Sequence, residues 1–276
     1  MAILTERKQQ ELTPEASDFY LRAMAILDEA RVPFLVGGAY AFARYTGVVR
    51  HTKDFDVFIR PRDFDRAQEA LARAGCDIER SFPHWLGKAY CGENFVDLIF
   101  SSGNGVARVD DLWFEHAVDG EVLGRPVKLC PAEEMIWSKS LIMERERFDG
   151  ADVIHVLYAR GGDLDWERLL RRFEPNGGWR VLLAHLTLFG YVYPGELNRI
   201  PRHILDTLID RLRADEPDPS QARLCRGTIL SRSQYLNDVE KWGYQDSRLQ
   251  PVGNMTADEI AYWTAAAAVD GPDAEH

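Results

Sequence analysis

Two aspartates stand two residues apart in the stretch Arg50-His51-Thr52-Lys53-Asp54-Phe55-Asp56-Val57-Phe58-Ile59. On a strand, side chains at i and i+2 project from the same face. Asp54 and Asp56 would crowd two like charges on that face, leaving Phe55 and Val57 to anchor the other in a core. The pair destabilises a strand unless something neutralises it, and a hard divalent cation such as Mg2+ is the usual answer for oxygen ligands. Upstream, Phe34-Leu35-Val36 runs into Gly37-Gly38. Glycines between a strand and a helix let a phosphate approach the backbone N–H groups at the helix N-terminus. A third acid, Asp97, interrupts the apolar run Phe95-Val96-Asp97-Leu98-Ile99-Phe100, where an unpaired buried carboxylate is costly. Singly, D-x-D reads equally as a solvated strand edge and Gly-Gly as a plain turn. The order strand, Gly-Gly, helix, basic-Thr, D-x-D strand is far more specific, and it predicts cation-assisted phosphate chemistry.

The elements that would position these residues follow from the same periodicities. Thr13-Pro14 predicts a capped helix start, with a helix over Glu15 to Ala30 ended by Pro33. A short strand over 34–36, a helix over Ala39 to Tyr45 and a half-buried strand over Asp54 to Ile59 come next. Pro61 to Ala74 is an amphipathic helix closed by Gly75. Strand pairs are expected over Lys88 to Cys91 with Asn94 to Phe100, and over Glu121 to Leu123 with Pro126 to Leu129. After Pro131 the pattern turns helical, over 132–146, 151–159, 166–173, 178–189, 201–214 and 257–268. The expected fold is α+β: a small mixed sheet flanked by helices over residues 1–130, then an all-helical region over 131–276 that completes the active site.

Gly37-Gly38, the Asp54-x-Asp56 strand and the later strand acid Asp97 resemble the polymerase-β-type nucleotidyltransferase superfamily. The run R-x-T-x-D-x-D with its downstream helix is similar to minimal nucleotidyltransferases, which include AbiEii-like toxins and antibiotic nucleotidyltransferases. The resemblance covers roughly residues 30–160. It implies that Asp54, Asp56 and Asp97 hold two Mg2+ ions, and that Asp97 helps activate an acceptor hydroxyl. It implies that Gly37 and Gly38 cradle the phosphates of an NTP, with Arg50 and Thr52 nearby. Lys139 would lie over the triphosphate, supported by an acid on the next helix, Asp152 rather than the helix cap Asp149. The implied reaction moves an NMP onto a small molecule, a tRNA end or a protein, and a toxin setting with an antitoxin-type partner belongs to the same resemblance. The alternative is a non-catalytic nucleotide-binding or partner-binding module on the same fold.

Composition narrows the choice from outside. The 276 residues carry 44 acids against 33 Lys and Arg, a formal charge of -11, which speaks against a bulk nucleic-acid binder. No apolar run approaches the ~20 residues of a membrane span, and the polar start, Met1 to Glu11, shows no secretory signal. Cys76, Cys91, Cys130 and Cys225 form no C-x-x-C pair, and read as buried free thiols in a reducing cytoplasm. No histidine spacing suggests zinc. Ser81 to Lys88 is expected to be a loop packing the sheet, and Glu144-Arg145-Glu146-Arg147 a solvated helix face. Arg168, Arg171 and Arg172 read as salt-bridged surface, and Trp242, Tyr244, Tyr262 and Trp263 as core anchors.

Overall fold

The computed structural model describes residues 12–50, 52 and 54–266. Thr13 caps α1 (Pro14–Glu29), its hydroxyl accepting from Ala16 N at 3.2 Å. β1 (Leu35–Val36) leads through Gly37 into α2 (Gly38–Thr46), which closes on Gly47 in the left-handed conformation. β2 (Asp56–Phe58) follows, then α3 (Phe64–Arg73), β3 (Asp77–Phe82), β4 (Leu86–Cys91) and β5 (Asn94–Ile99). Short α4 (Asp111–Glu115) precedes the hairpin β6 (Val118–Val122) and β7 (Arg125–Leu129). The helical part comprises α5 (Ala132–Ser140), α6 (Gly150–Arg160), α7 (Trp166–Phe173), α8 (Trp179–Val192), α9 (Arg202–Arg213), α10 (Gly227–Leu230), α11 (Leu236–Glu240) and α12 (Ala257–Ala266). Within it, β8 (Leu224–Cys225) and β9 (Gln245–Asp246) form a small parallel pair.

The seven-stranded sheet runs β3-β4-β5-β2-β1-β7-β6. It is mixed: β2 lies parallel to β5 and β1 to β7, while the remaining neighbours are antiparallel. β2 therefore sits near the middle, with Phe55, Val57 and Ile59 fully buried beneath it. The apolar core continues from Ala16 to Leu208 across Pro131 without interruption. The expected α+β class and its central strands are what the chain adopts.

Several local expectations are corrected. Cys76 and Cys91 are not free thiols: the antiparallel pairing of β3 and β4 brings them together as a disulfide, and only Cys130 and Cys225 are buried free thiols. β3 occupies part of the expected loop; it is a charged edge strand whose irregular register against β4 hides the alternation. α5 stops at Ser140 instead of continuing to 146. Its follow-on residues fold back as a narrow loop, with Met143 bridging Phe148 and donating its N–H to Leu230 O at 2.9 Å. Glu144 to Arg147 is therefore not a helix face. Trp242 is 63% exposed and Tyr262 54% exposed, so neither anchors a core.

Arg168 and Arg172 are not surface groups. Both are buried, as is Glu134. Arg168 donates to Glu134 at 2.6 Å and pairs with Glu133 at 2.5 Å, while Arg172 reaches Glu134 at 3.0 Å and Asp110 at 2.6 and 2.8 Å. This network locks α5 to α7 and to the loop before α4. It thereby sets where the C-terminal turn of α5, which carries Lys139, comes to rest.

Candidate active site

β2 and β5 are in parallel register with Asp56 directly beside Asp97. Asp54 lies just before the strand and is exposed, its backbone N–H bonded to the Thr52 hydroxyl at 3.0 Å. The two side chains nearest the middle of the sheet are thus Asp56 and Asp97, with Asp54 at the rim. His51 and Lys53 lie outside the described residues.

Crowding these acids has an electrostatic consequence. Burial, then the neighbouring charges of Asp97 and Asp54, push the Asp56 carboxyl up to about 6 from 3.8, and the cations Lys139 and Arg147 only partly oppose this. Asp97 is also raised, chiefly by burial, with Lys88 pulling the other way. Lys88 faces Asp97 across β4 and β5 and donates to its Oδ1 at 2.7 Å. Tyr20 stacks on Phe55, the residue between Asp54 and Asp56, with ring centroids 4.6 Å apart. Its hydroxyl is pushed up to about 12 by burial and by the nearby Tyr40 and aspartates.

The glycines do what the acids require. The Gly37 N–H donates to Asp56 O at 3.0 Å, tying the start of α2 to β2. Gly38 adopts φ +52, and a Cβ there would collide with the Asp56 carboxylate. The bare turn thus leaves the N-terminal N–H groups of α2, which have no intrahelical partners, open beside the acids. Gly38→Ala is expected to lower stability by ~2 kcal/mol through the left-handed backbone and the collision. Thermal unfolding should show much of that loss recovered in the Gly38→Ala, Asp56→Ala double variant, because the second change removes the atoms that collide.

A chain of charges flanks the acids. Lys139 contacts Asp149 Oδ2 at 2.8 Å and Asp152 Oδ2 at 2.9 Å. Arg50 holds the other Asp152 oxygen at 2.5 Å and lies 4.4 Å over the Phe42 ring. Arg147 grips Asp149 at 3.0 and 2.9 Å. Burial raises the Asp149 carboxyl, but Arg147 and Lys139 outweigh it and hold the group below its usual value. Asp149 begins α6 as expected, yet its side chain caps no backbone group; it shares Lys139 with Asp152. In the sequence Arg147 reads as part of a solvated Glu-Arg-Glu-Arg helix face from which an arginine could touch phosphate; the fold-back that brings it here leaves no sign in that helix-former composition.

Part of this set lines one cleft of about 500 Å³, whereas Arg50, Asp54, Asp97 and Asp152 lie outside its lining. Gly37, Gly38 and Asp56 form one side; Lys139, Arg147 and Asp149 form another. Phe82, Trp85 and Trp263 build an aromatic wall, with Trp263 edge-on to both rings at 4.8 and 5.4 Å. Thr228 to Leu230 and Arg232 close the cleft from the C-terminal part. Nothing in the sequence marked residues 228–232, because the short α10 and the two residues after it carry no amphipathic pattern.

Carboxylate oxygens of Asp56 and Asp97 side by side, raised in affinity for protons, are a donor set that suits a hard divalent cation. Among the described residues, no group of three or more His, Cys, Asp or Glu side chains is already gathered as a metal cluster. Asp97 rests on Lys88, and Asp54 is turned to the rim.

A family model described as an uncharacterised nucleotidyltransferase matches residues 23–193, more than half of the chain. No curated protein matches the chain. Solved structures with a similar chain path include the antibiotic-resistance factor ANT(2'')-Ia, at 15% identity over 74% of this chain and 96% of that one, with a TM-score of 0.37. The lincosamide antibiotic adenylyltransferase LnuA is 14% identical over 52% of this chain and 96% of its own, with a TM-score of 0.38. JHP933 from Helicobacter pylori is 12% identical over 74% and 97%, with a TM-score of 0.34. The family match spans β1 to α8, and so takes in Gly37, Gly38, all three aspartates and Lys139. This chain belongs to that family of uncharacterised nucleotidyltransferases.

Proposed function

We propose that the protein transfers an NMP from an NTP to the hydroxyl of a small acceptor, using Mg2+ held by Asp54, Asp56 and Asp97. The observation that carries this reading is the pairing of Asp56 with Asp97 beside the bare Gly37-Gly38 turn, in a cleft faced by Lys139 and Arg147. When bound, divalent cations supply the positive charge that balances a triphosphate and its pyrophosphate leaving group. The chain's own groups do the rest. The α2 N-terminus and the Gly37-Gly38 turn receive phosphate oxygens. Lys139 and Arg147 exchange Asp149 for the triphosphate, with Asp152, itself held by Arg50, orienting Lys139. Asp97, raised by burial, takes the proton from the acceptor hydroxyl as its oxygen forms the new bond to the α-phosphorus. The bond from that phosphorus to pyrophosphate breaks as the new bond forms. The mixed core through residue 130 supplies the acids, and the part beyond it supplies Lys139 and the far wall.

A small acceptor fits the aromatic-walled cleft, whose volume is within the range of small-ligand sites. An NTP substrate agrees with a cytoplasmic setting, and no helix among the described residues is long and apolar enough to cross a membrane. A tRNA end, or a protein acceptor regulated by an antitoxin-type partner, would read out differently in the same assay. The protein is incubated with α-labelled NTPs and Mg2+, together with a metabolite extract, total RNA or a protein extract. Label is expected in the small-molecule fraction, and Lys139→Ala should weaken NTP affinity by at least about tenfold. Label in RNA or protein redirects the acceptor. NTP binding without transfer to any fraction favours a nucleotide-binding module instead, a reading that the Lys88 contact on Asp97 also supports.

A further inference from the structure

A second cavity, of about 290 Å³, lies behind the cleft. Leu141, Ile229 and Leu230 line both and form the wall between them. Its interior is apolar, built mainly by Trp137, Phe173 and Val181, the first two buried. Its polar content is concentrated in arginines. Arg172 is fully engaged by Asp110 and Glu134. Arg180 and Arg226 are different: both reach the point a Cβ would occupy at Gly177, Arg180 Nη1 at 2.6 Å and Arg226 Nη1 at 3.8 Å. Two guanidinium groups converge where the backbone carries no side chain.

Their counter-charges are unequal. Arg180 is ion-paired with Asp215 on its outer side. Arg226 donates to the neutral Gln221 amide oxygen at 2.5 Å, and its Nε is buried with no hydrogen-bond partner. Asp218 acts on it only through space, its oxygens being taken by Ser220 and Gln221. Burial and the neighbouring Arg180 together depress the Arg226 guanidinium below its ordinary value. A partly buried guanidinium whose Nε lacks a partner, with a like charge beside it, is stabilised by an anion placed between the two.

We propose that this cavity binds a small monoanion with an apolar body, its head bridging Arg226 and Arg180 and its body among Trp137, Phe173 and Val181. The site is separate from the catalytic cleft, and the proposal stands whether or not the nucleotidyl-transfer reading does. An apolar chain alone would find the pocket but not its arginines; a polar anion alone would find the arginines but gain nothing from the walls.

The test uses octanoate as the probe, with octan-1-ol and octylamine of matched chain length, on the full protein without nucleotide. Calorimetry and thermal shift should give saturable octanoate binding, with octanol weaker by at least about tenfold and octylamine not binding. Arg226→Gln should lose at least about tenfold in affinity. Val181→Trp, which fills the body of the cavity, should abolish binding. Arg180→Gln, at a half-exposed position that tolerates change, gives a third reading of the same head-group contact if either of the first two variants fails to fold. Equal binding of all three probes, non-saturable uptake only, or octanoate affinity unchanged in folded arginine or Val181→Trp variants would each overturn the assignment.

Discussion

Asp56→Asn is expected to remove nucleotidyl transfer by at least about a thousandfold while making the cation-free protein more stable at neutral pH. The two effects share one cause. In the native state the Asp56 carboxyl is raised to about 6 from 3.8, so the folded chain holds that proton more tightly than the unfolded chain does. A raised acid makes stability highest below its unfolded value. That stability is lost as the pH climbs from about 4 through about 6, and the deficit is constant above. The upper size of this penalty is about 3 kcal/mol. Asparagine mimics the protonated form and escapes it. At pH 7.5 without divalent cation, Asp56→Asn should therefore melt a few degrees above the wild type, and at pH 4 the two should coincide. Saturating Mg2+ should raise the wild type alone, by mass action. A variant that retains transfer, or that melts lower than wild type at pH 7.5, removes the catalytic assignment or the electrostatic account respectively.

Glu134→Ala is expected to be the most damaging single change to the fold. It strips a fully buried carboxylate from between Arg168 and Arg172, leaving two buried guanidinium groups short of a partner. Removing one member of such a network costs about 3–5 kcal/mol. Urea unfolding should show the midpoint falling by about 1 M or more. Because α5 also carries Lys139, a folded Glu134→Ala preparation should bind NTP less tightly as well, though Glu134 touches nothing in the cleft. Joint replacement of Glu133, Glu134, Arg168 and Arg172 by apolar residues of similar volume should recover part of the lost stability, since no buried carboxylate or guanidinium of the network is then left over.

The central acids were legible because their chemistry is local. Period-two spacing predicts Asp54 and Asp56 on one face of a strand, although the strand begins only at Asp56 and leaves Asp54 exposed before it, and Asp97 stands out in an apolar run. Register then brings Asp56 and Asp97 together without further instruction. Lys139 was pointed to only by the family resemblance of the helix that carries it, since by itself it reads as a solvated helix lysine. Residues whose roles come from long-range packing left no such trace. Arg168 and Arg172 have the composition of a solvated helix and are buried only because α5 offers Glu133 and Glu134 opposite them. Arg147 and Asp149 form part of the site because the chain folds back after Ser140, and a run of helix formers hides that turn. Cys76 and Cys91 are 15 residues apart, a spacing that fits a disulfide only once β3 is known to pair with β4.

The family match ends at residue 193. Thr228 to Leu230, Arg232 and Trp263, which wall the cleft, lie beyond it. The wall of the cleft is thus built in two parts, Phe82 and Trp85 from the matched length and residues 228–232 with Trp263 from beyond it, while the Asp56–Asp97 pair lies wholly inside the match. Under the proposed function, changes beyond residue 193 reach the compound accepted before they reach the acids, so relatives that share the pair and the demand for cation need not share an acceptor.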